Sequence, residues 1–132
     1  MVRLGVSGAL VLIFAATAAS AAPKSFGVRS VRVTADGLWK ADPNGQQTQQ
    51  DCARFKIGDK SALRWFRASR EVTKRDWLEN AEWTQCSASG TLVTGDGRVY
   101  SWDLDQSGRG RVAITPTVEV YLSGSELPFA SR

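Results

Sequence analysis

The strictest pattern in the sequence is an alternation of apolar and polar side chains between Tyr100 and Leu104. Successive side chains of a β-strand point to opposite faces, so one set should face the core and the other the solvent. The core set is Tyr100, Trp102 and Leu104, and the solvent set is Ser101 and Asp103. Asp96-Gly97 precedes this run and predicts a two-residue hairpin loop, which pairs Val93 with Tyr100 and Thr91 with Trp102.

A second hairpin is predicted from the next apolar residues, Val112 and Ile114. Paired residues of two antiparallel strands lie on the same face, and the sum of their residue numbers is constant along the hairpin. Val112 and Ile114 therefore share a face with Leu104 only if this sum is even. Pairing Leu104 with Val112 meets this condition and leaves residues 106–110 as the connection. Pro116 should end this ladder. A last strand is predicted from the alternation of Val118, Val120 and Leu122.

The amino-terminal part predicts a strand from Phe26 to Thr34, but its apolar residues change parity along the way. Either a β-bulge near Arg29-Ser30 or two short strands would explain this change. Asp36-Gly37 is a turn sequence and should end the segment. The residues from Ala53 to Ile57 predict a further short strand.

One amphipathic helix is predicted, with Asp59 or Ser61 as its N-cap and an end near Arg70–Val72. Its apolar and charged residues fall on different faces at about 100° per residue. The apolar face is Ala62, Trp65, Phe66 and Ser69, and the charged face is Lys60, Arg64, Arg67, Arg70 and Lys74.

Together these elements predict an α+β domain, a mostly antiparallel sheet of about five or six strands with one main helix packed on it. Thr73 and Asp76 predict a second short helix over residues 73–80. Residues 41–51 carry four glutamines with Pro43, Asn44 and Gly45, which predicts a flexible, solvated loop. Residues 123–132 predict a loose tail. Residues 22–132 would form this single small domain.

The first residues predict export. Arg3 gives a basic start, Leu4–Ala16 is apolar, and Ala19-Ser20-Ala21 has the small side chains of a signal peptidase site. We therefore expect residues 1–21 to be a cleaved signal peptide, with an uncleaved membrane anchor as the alternative. The apolar run is short for a membrane span. The expected location is the periplasm or the exterior of the cell, with no membrane-spanning segment after cleavage.

Two cysteines, Cys52 and Cys86, lie in the mature part of the chain. In an exported protein two cysteines most simply pair with each other. Their spacing differs from the Cys-x-x-Cys of redox and metal sites. We therefore predict one disulfide between Cys52 and Cys86.

The chain has no histidine. This absence removes the commonest general base near neutral pH and the commonest metal ligand, and with them the Ser-His-Asp hydrolases and most zinc sites. We expect no catalytic residues, no cofactor and no metal. Asp103–Gly108 resembles the opening of a calcium loop, but position twelve is Ile114 where a carboxylate is needed, which favours a hairpin turn.

Two sets of side chains are candidates for binding. Arg64, Arg67 and Arg70 could meet an acidic partner, although such a stripe is usually just the solvated side of a helix. Trp39, Trp77 and Trp83 are not placed in the core by periodicity, and tryptophan often anchors interfaces or stacks on sugars. The alternative is that they cover the edges of a thin core. The formal net charge of +4 is too small to predict a nucleic-acid partner.

The stretch Trp83-Thr84-Gln85-Cys86-Ser87-Ala88-Ser89-Gly90, followed by Asp96-Gly97 and Trp102, resembles a pattern in small exported bacterial proteins without an assigned activity. The aromatic pair Trp65-Phe66 precedes it at a similar distance there. The resemblance covers residues 52–114. It implies a bacterial periplasmic setting and a compact α+β domain, and it transfers no site residue. A further cysteine expected near the carboxyl end by this pattern is absent.

From these features we expect an exported, non-catalytic binding protein. Its expected partner is another protein, in the manner of a small inhibitor or immunity protein. The alternative is an envelope protein that binds an anionic polymer or a glycan through the arginines and tryptophans. A small secreted enzyme is the third hypothesis.

Overall fold

The computed structural model describes residues 27–79 and 84–128, so the predicted signal peptide, Phe26 and Trp83 lie outside the described residues. The elements of this part are β1 (Val28–Trp39), α1 (Gln49–Ala53), α2 (Asp59–Ala68), β2 (Arg70–Val72), α3 (Lys74–Glu79), β3 (Cys86–Thr94), β4 (Val99–Asp105), β5 (Arg109–Ala113) and β6 (Glu119–Ser123). The strands form one sheet in the order β1-β3-β4-β5-β6-β2, and every pair is antiparallel. The predicted α+β class, a mostly antiparallel sheet with one main helix, is confirmed.

The hairpin of β3 and β4 has the predicted faces but not the predicted register. Trp102 and Leu104 are buried, and Ser101 and Asp103 are exposed. The loop has three residues, Gly95-Asp96-Gly97, because the Thr94 amide donates to the Arg98 carbonyl at 2.9 Å and Gly97 adopts a φ of 86°. The extra loop residue shifts the pairing by one. Tyr100 and Trp102 therefore face Leu92 and Gly90, and the predicted partners Val93 and Thr91 lie on the opposite face.

The hairpin of β4 and β5 keeps the predicted parity with a register shifted by two residues. Leu104 pairs with Gly110, and Val112 pairs with Trp102, so the connection is residues 106–108. The tighter loop forms because the Asp105 carboxylate accepts from the Ser107 hydroxyl at 2.6 Å and from the Arg109 amide at 3.0 Å. Of the oxygens that resembled calcium ligands, those of Asp105 and Ser107 therefore serve the hairpin turn, and Asp103 pairs with Arg111.

Strand β1 contains the predicted bulge, since its register with β3 shifts between Val28 and Ser30. The predicted turn at Asp36-Gly37 is wrong, because β1 continues through these residues with a register shift between Ala35 and Leu38, the third shift along this strand. Gly37 has a φ of 61°, and a Cβ there would lie 3.2 Å from the carbonyl oxygen of Cys52. The glycine kinks the strand and lets α1 approach its backbone, so the chain does not reverse.

Helix α1 begins inside the segment predicted to be a loop. Thr48 and Asp51 form a capping box in which each side chain accepts from the other residue's amide. The predicted strand over residues 53–57 is wrong, because Ala53 ends α1 and an irregular connection follows. Phe55 and Ile57 in this connection are buried without strand pairing.

Helix α2 buries the apolar face predicted for it. Ala62, Trp65, Phe66 and Ser69 are all buried. The predicted N-cap, Asp59 or Ser61, is wrong, because the helix already begins at Asp59 and its N-cap is Gly58, which makes no side-chain hydrogen bond. The Asp59 carboxylate instead accepts from the Val33 amide of β1 at 2.8 Å. The helix ends at Ala68, and the predicted helix end at Arg70–Val72 forms β2 beside β6. Helix α3 starts as predicted, with the Thr73 hydroxyl accepting from the Asp76 amide at 3.1 Å.

The disulfide between Cys52 and Cys86 is formed, and both residues are fully buried. It joins α1 to the first residue of β3 over a sequence separation of 34. In the chain-entropy account, closing a loop of this length restrains the unfolded state by roughly 3–4 kcal/mol. The disulfide therefore holds the irregular segment before α1 close to the end of the sheet.

Beyond its last strand the chain remains hydrogen-bonded to the sheet. The Gly124 amide donates to the Gly108 carbonyl, and the Leu127 amide donates to the Gln106 carbonyl, both at 2.9 Å. The indole Nε1 of Trp65 also donates to the Ser125 carbonyl at 2.9 Å. The first residues of the predicted loose tail thus cover one side of Trp65 in helix α2.

Candidate functional site

The sheet has an inner face, which packs on α2, and an outer face formed by the alternate residues. Inner residues such as Trp102, Leu104 and Val112 are buried, so their neighbours along each strand point the other way. The outer face carries Ser87, Ser89, Thr91, Ser101, Asp103, Asp105, Arg109, Arg111, Ala113, Glu119 and Tyr121. Small side chains occupy its centre, and charged and aromatic ones gather towards α3.

A pocket of about 250 Å³ lies at the end of the outer face nearest α3. We call it the outer pocket, and its wall includes Lys40, Trp77, Ser87, Asp103, Arg109 and Arg111. Strands β3, β4 and β5 supply its floor, while α3 and the end of β1 supply its sides. The pocket therefore exists only when the two hairpins and α3 have assembled.

Arg109 is held in one position by Asp105, which is also in the pocket wall. Its Nε lies 3.0 Å from Asp105 Oδ2, and the two side chains are only 11% and 15% exposed. Its Nη1 donates to the Trp77 carbonyl at 3.3 Å, and its Cζ lies 4.8 Å from the centre of the Trp77 ring. A buried, hydrogen-bonded ion pair keeps its geometry better than an exposed one, so Arg109 joins β5 firmly to α3.

Arg111 lies between two carboxylates. Its Nη2 is 3.0 Å from Asp103 Oδ2, and its Nε is 3.8 Å from Glu119 Oε1. Burial lowers the pKa of Arg111, but the hydrogen bond and charge of Asp103, together with Glu119, outweigh burial and raise it. Arg111 stays charged and leaves part of its guanidinium at the pocket surface.

Tyr121 extends this network on β6. Its hydroxyl donates to Glu119 Oε2 at 2.7 Å, and this hydrogen bond raises the pKa of Tyr121. Its ring lies 5.2 Å from the Trp77 ring, centre to centre. Trp77 is thereby fixed between Tyr121 and Arg109, and its indole Nε1 is buried without an acceptor among the described residues. Such an unmatched donor is costly and is uncommon in native structures.

The candidate residues from the sequence analysis separate in the structure. Trp77 lines the outer pocket. Trp39 is 40% exposed at the end of β1, where its Nε1 donates to the Gln47 carbonyl at 2.9 Å. This hydrogen bond attaches Trp39 to the segment before α1. Trp83 falls outside the described residues.

The arginine face is divided among different elements. Arg67 Nε donates to the Val28 carbonyl at 3.1 Å, and Nη2 donates to the Arg29 carbonyl at 3.4 Å, so Arg67 attaches α2 to β1. Arg70 lies in β2, and Lys74 begins α3. Arg64 stays on α2 and donates to the Ser61 hydroxyl at 3.2 Å. The described lining of the outer pocket includes none of these residues.

The sequence analysis did not single out Lys40, Arg109 or Arg111. The signal was present in the parity rule, because Arg109 and Arg111 have the opposite parity to the buried Val112. The same rule places Asp105 beside Asp103 on the outward side of β4. Combining the two outward pairs across the hairpin would have located the ion pairs of the pocket.

No protein-family model, no curated protein and no solved structure matches this chain. Within residues 27–79 and 84–128, no cluster of three or more histidine, cysteine or acidic side chains is arranged to hold a metal ion. In the same residues, no helix has the length and apolar content needed to cross a membrane.

Proposed function

We propose that the chain is exported and acts as a non-catalytic binding protein, with another protein as its partner and the outer face as its binding surface. Arginine, tryptophan and tyrosine are the residue types that contribute most to protein interfaces. Arg109, Arg111, Trp77 and Tyr121 lie together at the outer pocket. This clustering on one side of the sheet is the observation that carries the proposal.

Rigidity of these side chains supports the same function. Arg109 is held by Asp105 and Trp77, and Tyr121 is held by Glu119 and the Trp77 ring. Side chains that are already ordered lose little conformational entropy on binding, which favours affinity. The small residues in the centre of the outer face leave a broad, low surface for a partner to cover.

The free edge of β1 is a poorer docking site. Arg67 occupies the carbonyls of Val28 and Arg29, and Asp59 occupies the amide of Val33. A partner that added a strand would need these backbone groups for its own hydrogen bonds. The proposed partner therefore approaches the face of the sheet and not this edge.

Export is supported by the signal-peptide pattern of residues 1–21 and by the Cys52–Cys86 disulfide. Disulfides persist mainly in oxidising compartments such as the periplasm. We expect the protein isolated from its native cell to begin close to Ala22 and to lack free thiols, as measured by intact-mass analysis without reductant. Recovery of a chain with Met1 in the cytoplasmic fraction would contradict export.

The protein partner is tested with the exported domain immobilised and incubated with periplasmic extract. We expect one protein to be retained at a stoichiometric level. Arg111→Ala should reduce its affinity by about 30-fold or more, the effect of removing an interface residue worth about 2 kcal/mol. Arg64→Ala removes the same charge from α2 and should leave the affinity unchanged.

The opposite pattern would overturn the proposal. If Arg64→Ala abolishes retention and Arg111→Ala does not, the binding surface is α2. If the domain is instead retained by peptidoglycan or lipopolysaccharide, and salt releases it, the partner is an anionic envelope polymer.

A further inference from the structure

In the outer pocket, most hydrogen-bond acceptors already have partners, whereas several donors are available. This difference indicates which chemical group the pocket can bind. We propose that the outer pocket binds a carboxylate, presented as an aspartate or glutamate side chain of the partner protein. This inference rests on the proposed function, since it names the group that the partner places in the same site.

The acceptors of the pocket are largely occupied by its own residues. Asp105 Oδ1 accepts from the Ser107 hydroxyl and the Arg109 amide, and Oδ2 accepts from Arg109 Nε. Asp103 Oδ2 accepts from Arg111, which leaves Asp103 Oδ1 as the open carboxylate oxygen among these groups. The amide oxygen of Gln85, also in the wall, accepts from the Gln47 amide at 2.9 Å. Little acceptor capacity is left for a ligand that donates hydrogen bonds.

The donors of the pocket are less fully used. Lys40 is exposed and forms no ion pair with a described residue. The Ser87 hydroxyl belongs to the same wall, and Trp77 Nε1, which is buried, has no acceptor among the described residues. The wall therefore offers an ammonium, a hydroxyl and part of the Arg111 guanidinium to an incoming group.

Charge gives the same result as the hydrogen bonds. Of the three cations in the wall, Arg109 pairs with Asp105, and Arg111 pairs with Asp103 and Glu119. The Lys40 ammonium is left without an ion pair among the described residues, and one negative group in the pocket would pair with it. A carboxylate accepts hydrogen bonds from ammonium and guanidinium groups more strongly than a neutral acceptor does. Both arguments favour one carboxylate over a neutral amide or hydroxyl.

The size of the outer pocket indicates that its ligand is a side chain of a partner protein. The pocket has a volume of about 250 Å³, below the roughly 300 Å³ at which small-molecule and cofactor sites begin. It is open at the outer face, so a group projecting from a larger surface can enter it. A single acidic side chain matches this size and leaves the rest of the partner on the small-residue centre of the sheet.

The test uses the exported protein and N-acetylglutamate amide as the probe, with N-acetylglutamine amide as its neutral match. In an NMR titration, we expect the glutamate probe to move the Trp77 indole and Ser87 amide signals, with a Kd in the millimolar range. The glutamine probe should leave both signals unmoved. Lys40→Gln should weaken the glutamate probe at least fivefold, whereas Lys60→Gln on α2 should not change its affinity.

Two results would overturn the inference. Equal shifts with both probes, or none with either, would show that the pocket does not select a carboxylate. Glucuronate bound at least tenfold more tightly than the glutamate probe would assign the carboxylate to an acidic glycan. Failure of the probes while Arg111→Ala still abolishes capture of a protein would refute the carboxylate alone and leave the proposed function standing.

Discussion

Replacing Trp102 with alanine should lower the free energy of unfolding by about 3–5 kcal/mol, the usual cost of truncating a buried aromatic side chain. Trp102 is only 2% exposed, and its ring lies 5.1 Å from the Phe66 ring of α2. Its Nε1 donates to the Thr91 carbonyl at 2.8 Å. The substitution would therefore remove the contact between the sheet and α2 and also a hydrogen bond to β3.

Urea denaturation followed by circular dichroism measures this effect. Ser101→Ala is the matched control, because Ser101 is the next residue on β4 and faces outward; we expect a change within about 0.5 kcal/mol. An unchanged midpoint for Trp102→Ala together with loss of partner binding would mean that Trp102 is a surface anchor, and the assignment of inner and outer faces would be wrong.

Gly90→Ala should cost about 3 kcal/mol or more, because it overpacks a site closed by backbone. A Cβ at residue 90 would overlap the carbonyl oxygen of Arg32 and lie 2.7 Å from Cζ2 of Trp102. Trp102 is buried, and Arg32 belongs to the paired strand β1, so its carbonyl moves only with the strand. The methyl group therefore has to separate β1 from β3.

Gly58→Ala provides the comparison for this variant. A Cβ at residue 58 meets no atom within 4 Å, so the cost should stay near that of a changed N-cap, about 1 kcal/mol or less. Thermal melts of both variants should show a much larger loss for Gly90→Ala. Adding Trp102→Phe to Gly90→Ala should not restore stability, because the contact with the Arg32 carbonyl remains. Equal melting temperatures for the two glycine variants would show that β1 can move away from β3 at little cost in stability.

Parity along a strand was predictable, whereas the register between strands was not. Burial of Trp102, Leu104 and Val112 follows from local alternation, which depends only on the geometry of an extended chain. The register depends on the loop, and one extra residue at Gly95 moved every partner across the first hairpin. A turn dipeptide limits the loop types available but does not choose among them without the packing of the whole sheet.

Two segments adopt a structure other than the one their local sequence predicts, and each contacts a segment far away in the chain. Asp36-Gly37 has turn chemistry, yet the Asp36 carboxylate accepts from the Ile57 amide at 3.3 Å and the segment stays in β1. Arg70–Val72 continues a helical pattern, yet β6 offers it three paired residues. Neither partner is near in sequence, so a local pattern could not identify it.

The outer pocket was missed because it combines elements that lie far apart in the chain. Trp77 belongs to a helix of six residues, too short to show a periodicity. Its position depends on Arg109 and Tyr121, which are more than thirty residues away. Asp103 was placed on the outward face and Asp105 has the same parity, but their arginine partners depend on the register of β5.

The order of the strands along the chain exposes the edge strands to aggregation during synthesis. Both edge strands, β1 and β2, precede β3 to β6 along the chain. The edge strands of the sheet are therefore synthesised before the central strands. For that interval β1 lacks β3, the strand it pairs with, and an unpaired strand edge can pair with another chain. Arg29 and Arg32 place charge between its valines, a pattern that limits such aggregation before Cys86–Thr94 is available to pair.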